Sequence, residues 1–386
     1  MSHTAPIVLD DALWQRLLDM TGGAAALCYQ CGVCTATCPW GLVRKEPLSV
    51  RTFMRQAQLG LQDGDENLWL CATCAQCEAC CPRGVEITAV FRAMRTIAWE
   101  RRTVAHGLPS LLWSVYWNSN PWSQPPSQRA QWAKKLSIPI FDPQQHEILL
   151  YIGCTSSYDR RAQRIAVALV KVLKAAGVRF GFLAEQEPCC GESVLSVGHK
   201  PYFEEISAQT GKVFQERGVS RLVTISPHCY DVFKNHYPQV RNDFRPLHYS
   251  QYLAGLLEEG RLKPEVPLNA KATFQDACYL GRHNGEYEAP RRLLTAIPGL
   301  ELVEMENSRV DGLCCGGGGG RMWLETAPGE RFSDLRVKQA ARTAADILAT
   351  ACPFCIVCLE DSAKVVKVGK LQVMDVAEMV AMALPG

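Results

Sequence analysis

Between residues 147 and 386 short apolar runs alternate with longer amphipathic stretches. Ile148–Ile152 is a continuous apolar run and predicts a strand, while Arg160–Ala176 carries apolar positions at helical spacing. Val178–Leu183 predicts a second strand, Tyr202–Arg217 a helix and Leu222–Ile225 a third strand. The same succession then returns as Thr273–Ala277, Ala289–Ala296, Leu300–Val303, Phe332–Ala344 and Asp346–Ala349. Strands alternating with helices predict βαβ units and parallel sheets. Residues 1–106 are expected to form a separate, mostly helical unit. Residues 107–146 contain Pro109, Pro121, Pro125, Pro126, Pro139 and Pro143 and read as a linker.

The return is a repeat in the strict sense. Cys154, Cys189, Cys190, Ser226 and Cys229 are matched by Cys278, Cys314, Cys315, Cys352 and Cys355, with offsets of 124 to 126 residues. Two copies of one α/β domain are therefore expected, over 147–262 and 270–386. In both, cysteines fall just beyond predicted strand ends, where an open α/β sheet places its ligands.

Composition narrows the function. Lys and Arg number 41 against 39 Asp and Glu in 386 residues, a net charge of +2 with no basic block, which argues against nucleic-acid binding. No apolar run is long enough to span a bilayer. The first residues, with Asp10, Asp11 and Asp19, lack the basic lead of a secretory signal, so a cytoplasmic protein is expected. Nineteen cysteines dominate everything else. Disulfide scaffolds belong to small secreted domains, and here the spacings are short and repeated, so metal–sulfur chemistry is the stronger reading.

Cys28-x-x-Cys31-x-x-Cys34-x-x-x-Cys38-Pro is followed by Cys71-x-x-Cys74-x-x-Cys77-x-x-x-Cys81-Pro. This doubled run is the bacterial ferredoxin pattern for two [4Fe–4S] clusters, in which the fourth cysteine of each run completes the other cluster. Cys28, Cys31, Cys34 and Cys81 are thus expected to hold one cubane, and Cys71, Cys74, Cys77 and Cys38 the other. Tetrathiolate zinc is the alternative that the doubled order disfavours. Cys80 is left over and reads as a small buried side chain. No substrate-binding signature accompanies the pair, so this part reads as a wire.

The complete second copy carries Cys278, Cys314-Cys315-Gly316 and Cys352-Pro353-Phe354-Cys355, five thiols where a cube has four corners. The run Gly316–Gly320 lets backbone pass close to a bulky group. With Cys28-Tyr29-Gln30-Cys31-Gly32, Leu68-Trp69-Leu70-Cys71, Cys81-Pro82-Arg83-Gly84-Val85 and Asp276-Ala277-Cys278-Tyr279-Leu280-Gly281-Arg282, residues 28–386 resemble the iron–sulfur subunits of heterodisulfide reductase in their fused form. The resemblance implies a ferredoxin-type domain followed by two cysteine-rich CCG domains. It also implies a non-cubane [4Fe–4S] cluster held by Cys278, Cys314, Cys315, Cys352 and Cys355, at which a disulfide is cleaved with substrate sulfur on iron. The first copy keeps Cys154, Cys189, Cys190 and Cys229 but has Ser226 at the fifth position. Serine is a poor iron ligand, so these four cysteines read either as holding a further cluster, cubane or non-cubane with an altered corner, or as vestigial.

His283 is the candidate proton donor to a leaving thiolate, with His228 beside Cys229 as a second; a histidine so placed more often hydrogen-bonds a cluster sulfide or a backbone carbonyl. Arg282 and Arg321 flank the complete site and suit an anionic thiol or the cluster's own charge. Cys358 extends the C-x-x-C and reads as buried. Trp113, Trp117 and Trp122 suit either a docking surface or packing between domains. No nucleotide fingerprint is present, so electrons must come from a partner. The expected function is an iron–sulfur oxidoreductase subunit that reduces or forms a disulfide or related sulfur substrate. The alternative is a pure relay between a flavoprotein (electron-transfer flavoprotein, or a lactate or glycolate oxidase) and a quinone or cytochrome b partner. Either would bring it to the inner face of the cytoplasmic membrane through that partner.

Overall fold

Two parallel four-stranded sheets, built alike, carry the second half of the chain, and a helical unit wraps the first cysteine runs. The computed structural model describes residues 8–46, 48–61, 66–238, 240 and 242–385. The first sheet contains β1 (Ile148–Tyr151), β2 (Phe180–Gly181), β3 (Arg221–Thr224) and β4 (Arg245–His248) in the order β2-β1-β3-β4. The second contains β5 (Ala270–Gln275), β6 (Leu300–Val303), β7 (Ile347–Thr350) and β8 (Gln372–Asp375) in the order β6-β5-β7-β8. Every pairing is parallel. Central strands β1 and β7 are buried at every residue, as helices on both faces require, which is why they read as unbroken apolar runs.

The order has a consequence for chemistry. The chain leaves β1 toward one side of the sheet and β3 toward the other, so a crevice opens at their carboxyl ends; β5 and β7 repeat this. The loops after β1, β2 and β3, and after β5, β6 and β7, bring the cysteines to these two switch points.

The structure departs from expectation at edges. β4 and β8 add a fourth strand to each sheet; their mixed sequences, one with Pro246, hide them from an apolar-run search. The expected Val178–Leu183 strand shrinks to Phe180–Gly181, because the backbone of residues 139–141 takes Phe182 into an isolated bridge instead. Nor is 107–146 only a spacer. It forms the helix Leu108–Asn118 and two short 3-10 turns, and the helix buries Leu111 and Val115 while Trp113, Tyr116 and Trp117 face outward.

In the N-terminal unit Asp10 and Ser49 cap the helices Asp11–Met20 and Val50–Gln58. Val50, Phe53, Met54 and Ala57 of the second lie on one buried stripe. The helix Ile87–Glu100 is buried on nearly every face because it lies between the cysteine loops and the sheets. From it the fully buried Arg95 donates to the carbonyls of Leu68 (3.0 Å), Cys71 (2.8 Å), Ser196 (2.7 Å) and Gly319 (3.1 Å), tying all three parts together. Between the sheets, Tyr249 donates to Asp375 at 2.6 Å, and Arg161 forks onto Glu378 at 2.8 and 3.0 Å.

Replacing Arg95 with Met should leave four buried carbonyls short of a donor and lower stability by about 3 kcal/mol. Chemical denaturation of the cluster-loaded protein measures it; a loss under about 1 kcal/mol would mean that the bridge does not hold the parts together.

Candidate functional site

All nineteen cysteines are free thiols, and the fold gathers most of them into four groups. Cys28, Cys31, Cys34 and Cys81 line one cavity, so the fourth cysteine of the second run does turn to the first. Cys38 turns the opposite way: burial, then the neighbouring Cys74 and Cys71, push its thiol above the ordinary range. Cys77 is raised by burial and by Cys71, Cys74 and Cys38. The two loops share an unusual backbone. Gln30 and Gly32 flank Cys31, and Thr73 and Ala75 flank Cys74, all at positive φ. Three of these four are not glycine, and left-handed backbone there costs about 1 kcal/mol or more each. Such turns point successive amide N–H groups inward, the arrangement that an anionic sulfur cluster needs. Cys31 is exposed and Tyr29 is 60% exposed, so this group lies at the surface.

In the second repeat Cys278 follows β5, Cys314 and Cys315 follow β6, and Cys352 and Cys355 open the helix Pro353–Val366 after β7. All five are buried. Cys278 and Cys314 sulfurs lie 3.8 Å apart, those of Cys315 and Cys355 3.3 Å apart, and Gly316 N–H donates to Cys314 at 3.3 Å. The glycine run has a reason beyond a bound group. A Cβ on Gly318 would stand 2.5 Å from the Ala72 carbonyl, and one on Gly319 2.2 Å from that of Cys71, so bare backbone packs on bare backbone. Across this junction Cys314, followed by burial, raises the Cys74 thiol well above its ordinary range.

Arg282 lies across this junction. It donates to Cys74 O (2.6 Å) and Gly312 O (2.7 Å), while its Nη2 is buried without a partner. Burial opposes its charge, but Cys74, Cys278 and Cys314 sustain it. A buried cation with a spare donor, facing thiols of two groups, fits anionic iron–sulfur clusters at both.

His228 crosses from the first repeat to the second. Its ring stacks on Tyr279 at 3.9 Å, packs on Phe354 at 4.5 Å and sits 3.1 Å from the Glu192 carboxylate. Burial works against its charge, but Glu192 and Cys352 together raise its pKa well above 6.5. Cys352 responds: against burial, donors from Cys355 and His228 bring it down to about 5. His283, the histidine singled out from sequence, stacks on the other face of Tyr279 at 4.3 Å and bonds the Thr73 carbonyl at 2.8 Å. The Tyr279 hydroxyl shares hydrogen bonds with Thr73 (2.7 Å) and Ser196 (3.2 Å).

In the first repeat Cys154, Cys189, Cys190 and Cys229 are also buried together. Arg129, from the proline-rich segment, reaches them: it donates to Glu187 at 3.0 Å and to the Cys154 sulfur at 3.4 Å. Its position in sequence gives no hint of this, nor does that of Glu192; only a chain-wide contact reveals either. Cys80 takes a bond from Gln76, and Cys358 lies 3.6 Å from the Met322 sulfur. Cys358 lines a cavity of about 490 Å3 that also touches Cys315, Gly316, Arg321 and Trp40.

Dicluster loops joined to paired sheets with cysteine-lined switch points define an iron–sulfur oxidoreductase subunit. Residues 24–85 match the 4Fe-4S dicluster domain family, and residues 148–234 and 272–360 match the cysteine-rich (CCG) domain family. A subunit of the dihydromethanophenazine:CoB--CoM heterodisulfide reductase of Methanosarcina barkeri is 31% identical over 92% of this chain and 93% of its own length, and the chain belongs to that family. It is 34% identical to the iron-sulfur-binding oxidoreductase FadF of Bacillus subtilis (83% of this chain, 47% of that one). It is also 34% identical to the EtfAB:quinone oxidoreductase of Syntrophomonas wolfei (86% and 48%). The chain thus spans about half the length of these last two relatives. A hypothetical protein from Helicobacter pylori shares the fold, with a TM-score of 0.54 at 10% identity over 98% of this chain and 73% of that one. Among the described residues no helix is long and apolar enough to cross a membrane.

Replacing Arg282 with Gln should lower the reduction potential of the groups at Cys74 and Cys314 by roughly 60 mV, a tenfold shift in a one-electron equilibrium, while Lys retains most of it. Redox titration followed by EPR measures this; equal potentials in Arg282→Gln and the parent would mean that the cation is screened.

Proposed function

We propose that the chain is the electron-transferring subunit of a larger oxidoreductase, linking a flavoprotein to a membrane-associated redox partner. The observation that carries this reading is the close backbone contact of Gly318 and Gly319 with Ala72 and Cys71, which joins the ferredoxin loops to the complete cysteine-rich site through one buried junction. In this reading Cys28, Cys31, Cys34 and Cys81 hold one cubane [4Fe–4S] cluster, and Cys38, Cys71, Cys74 and Cys77 the other. Cys278, Cys314, Cys315, Cys352 and Cys355 hold a non-cubane cluster. When bound, these groups supply one-electron redox chemistry along that line. Arg282 stabilises the charge that collects at the junction, and the Gly318–Gly319 backbone contact keeps solvent out of it. Relatives named for electron-transfer flavoprotein and quinone, and one named a membrane-anchored ferredoxin, support partners of that kind and a peripheral position at the membrane.

A second reading keeps the same line but ends it on a sulfur–sulfur bond. The cavity that reaches Cys315 and Gly316 favours it, as does kinship with the heterodisulfide reductase of Methanosarcina barkeri. There His228 would hold a proton beside Cys352, and Arg321 would meet an anionic group.

EPR of the anaerobically purified, oxidised protein separates the two. On the relay reading, no thiol alters the spectrum, and Cys38→Ser stops electrons from a reduced flavoprotein reaching the second-repeat site while Cys278 and its companions still bind iron. A new paramagnetic signal that requires both a thiol and Cys355 would establish the disulfide reading in its place.

A further inference from the structure

Electrons that pass along the thiols must enter or leave where a partner can come near, because transfer between proteins weakens steeply with distance. Among the described residues Cys31 is the only exposed cysteine. Its surroundings are one-sided in charge. Arg51 and Arg83 line the cavity of Cys28, Cys31, Cys34 and Cys81. A second cavity, of about 850 Å3, adjoins it at Gln30 and Gly32 and is lined by Arg51 again and by Arg55. Among the described residues neither lining contains an Asp or Glu, and the exposed Glu86 lines neither cavity.

These arginines differ from the others of the unit. Arg51, Arg55 and Arg83 are exposed and have no carboxylate partner among the described residues, whereas Arg16 and Arg44 pair with Glu100 and Glu330. Arg51 and Arg55 stand one turn apart on the outer face of Val50–Gln58, whose inner face packs Phe53 and Met54 into the core. Packing therefore fixes where they emerge and leaves their charges free. Exposed charges are screened and do little for buried thiols, a task that Arg95 and Arg282 perform from inside. Leu27 and Tyr29 stand exposed at the same cysteine turn. Arginine and tyrosine are enriched at protein interfaces, and electron-transfer encounters use small ones.

We propose that this face, Leu27 and Tyr29 ringed by Arg51, Arg55 and Arg83, is the docking surface for an acidic one-electron carrier protein, steered to Cys31 by charge. The proposal rests on the chain's being an electron-transferring subunit, and it names the electrostatic class of the partner on the ferredoxin side. In the encounter one electron crosses between the carrier and the group at Cys31; one is oxidised as the other is reduced, and no bond forms or breaks.

The test uses cluster-loaded, fully reduced protein and two oxidants of opposite charge, acidic plastocyanin and basic cytochrome c, each below one equivalent in stopped flow. The parent should reduce plastocyanin at a rate that falls about tenfold or more from low to high salt, and cytochrome c at a rate that rises with salt. Arg51→Gln/Arg55→Gln/Arg83→Gln should slow plastocyanin about tenfold at low salt and flatten both salt slopes. Arg55→Glu, which leaves the thiol cavity untouched, should act in the same direction. Lys134→Gln/Lys135→Gln/Lys171→Gln removes the same charge from exposed positions of the linker and first repeat and should leave the rates unchanged. Iron content and EPR signals equal to the parent's certify folding. Salt slopes of the opposite sign in the parent overturn the proposal, as does an equal loss in the lysine variant. A fall in rate fully matched by a change in reduction potential also overturns it, by assigning the arginines to the cluster. The rates count electrons crossing this face whatever lies beyond it, so their outcome is separate from that of the thiol EPR experiment on which the relay reading stands or falls.

Discussion

Bare backbone pressed on bare backbone, where Gly318 and Gly319 meet Ala72 and Cys71, is the contact on which the remaining arrangement turns. Any side chain at either glycine would drive the second repeat away from the ferredoxin loops by more than an ångström. With the contact made, Cys74 reaches Cys314, Arg282 spans both groups, and Arg95 finds carbonyls on all three parts of the chain. Each of these adds to the junction, but none could form without the close approach. Hydrophobic burial holds the parts in general register; the glycines set the final distance between the two groups of thiols.

The repeats have divided the work. Both retain the strand order that opens a crevice between their central strands, and both fill it with cysteine-bearing loops. At their interface, however, Tyr279, His228 and Phe354 pack ring on ring, so the second repeat's Cys352 is served by a histidine of the first. His228 and Phe354 occupy equivalent places in the two copies, two residues past Ser226 and Cys352. One copy thus contributes polarity to the other's site and receives an apolar partner in exchange.

Much of this was legible from spacing. The doubled cysteine run groups Cys81 with Cys28, Cys31 and Cys34, and Cys38 with Cys71 and Cys74; in the fold the first four line one cavity and Cys38 neighbours Cys71 and Cys74. The constant offset between copies foretold two sheets of one topology, and apolar runs located the buried central strands. Edges were harder: β4 and β8 are half polar because one side of each meets no further strand. Arg95, Arg129, Glu192 and Gly318 were harder still, since their partners lie tens to hundreds of residues away and only the closed fold reveals the pairing. The histidines show the same limit. His283 stood out by proximity to Cys278 in sequence, yet in space His228 lies beside a cysteine of the complete site while His283 holds a backbone carbonyl.

Burial is graded along the chain of thiols. Cys31 is exposed beside Tyr29, Cys38 and Cys71 are half-buried, and the five thiols of the second repeat are sealed. Susceptibility of sulfur to oxidants follows exposure. Peroxide and dioxygen therefore meet the outermost group first, and the molecule carries its own fuse: the exposed end is sacrificed before the deep thiols are reached.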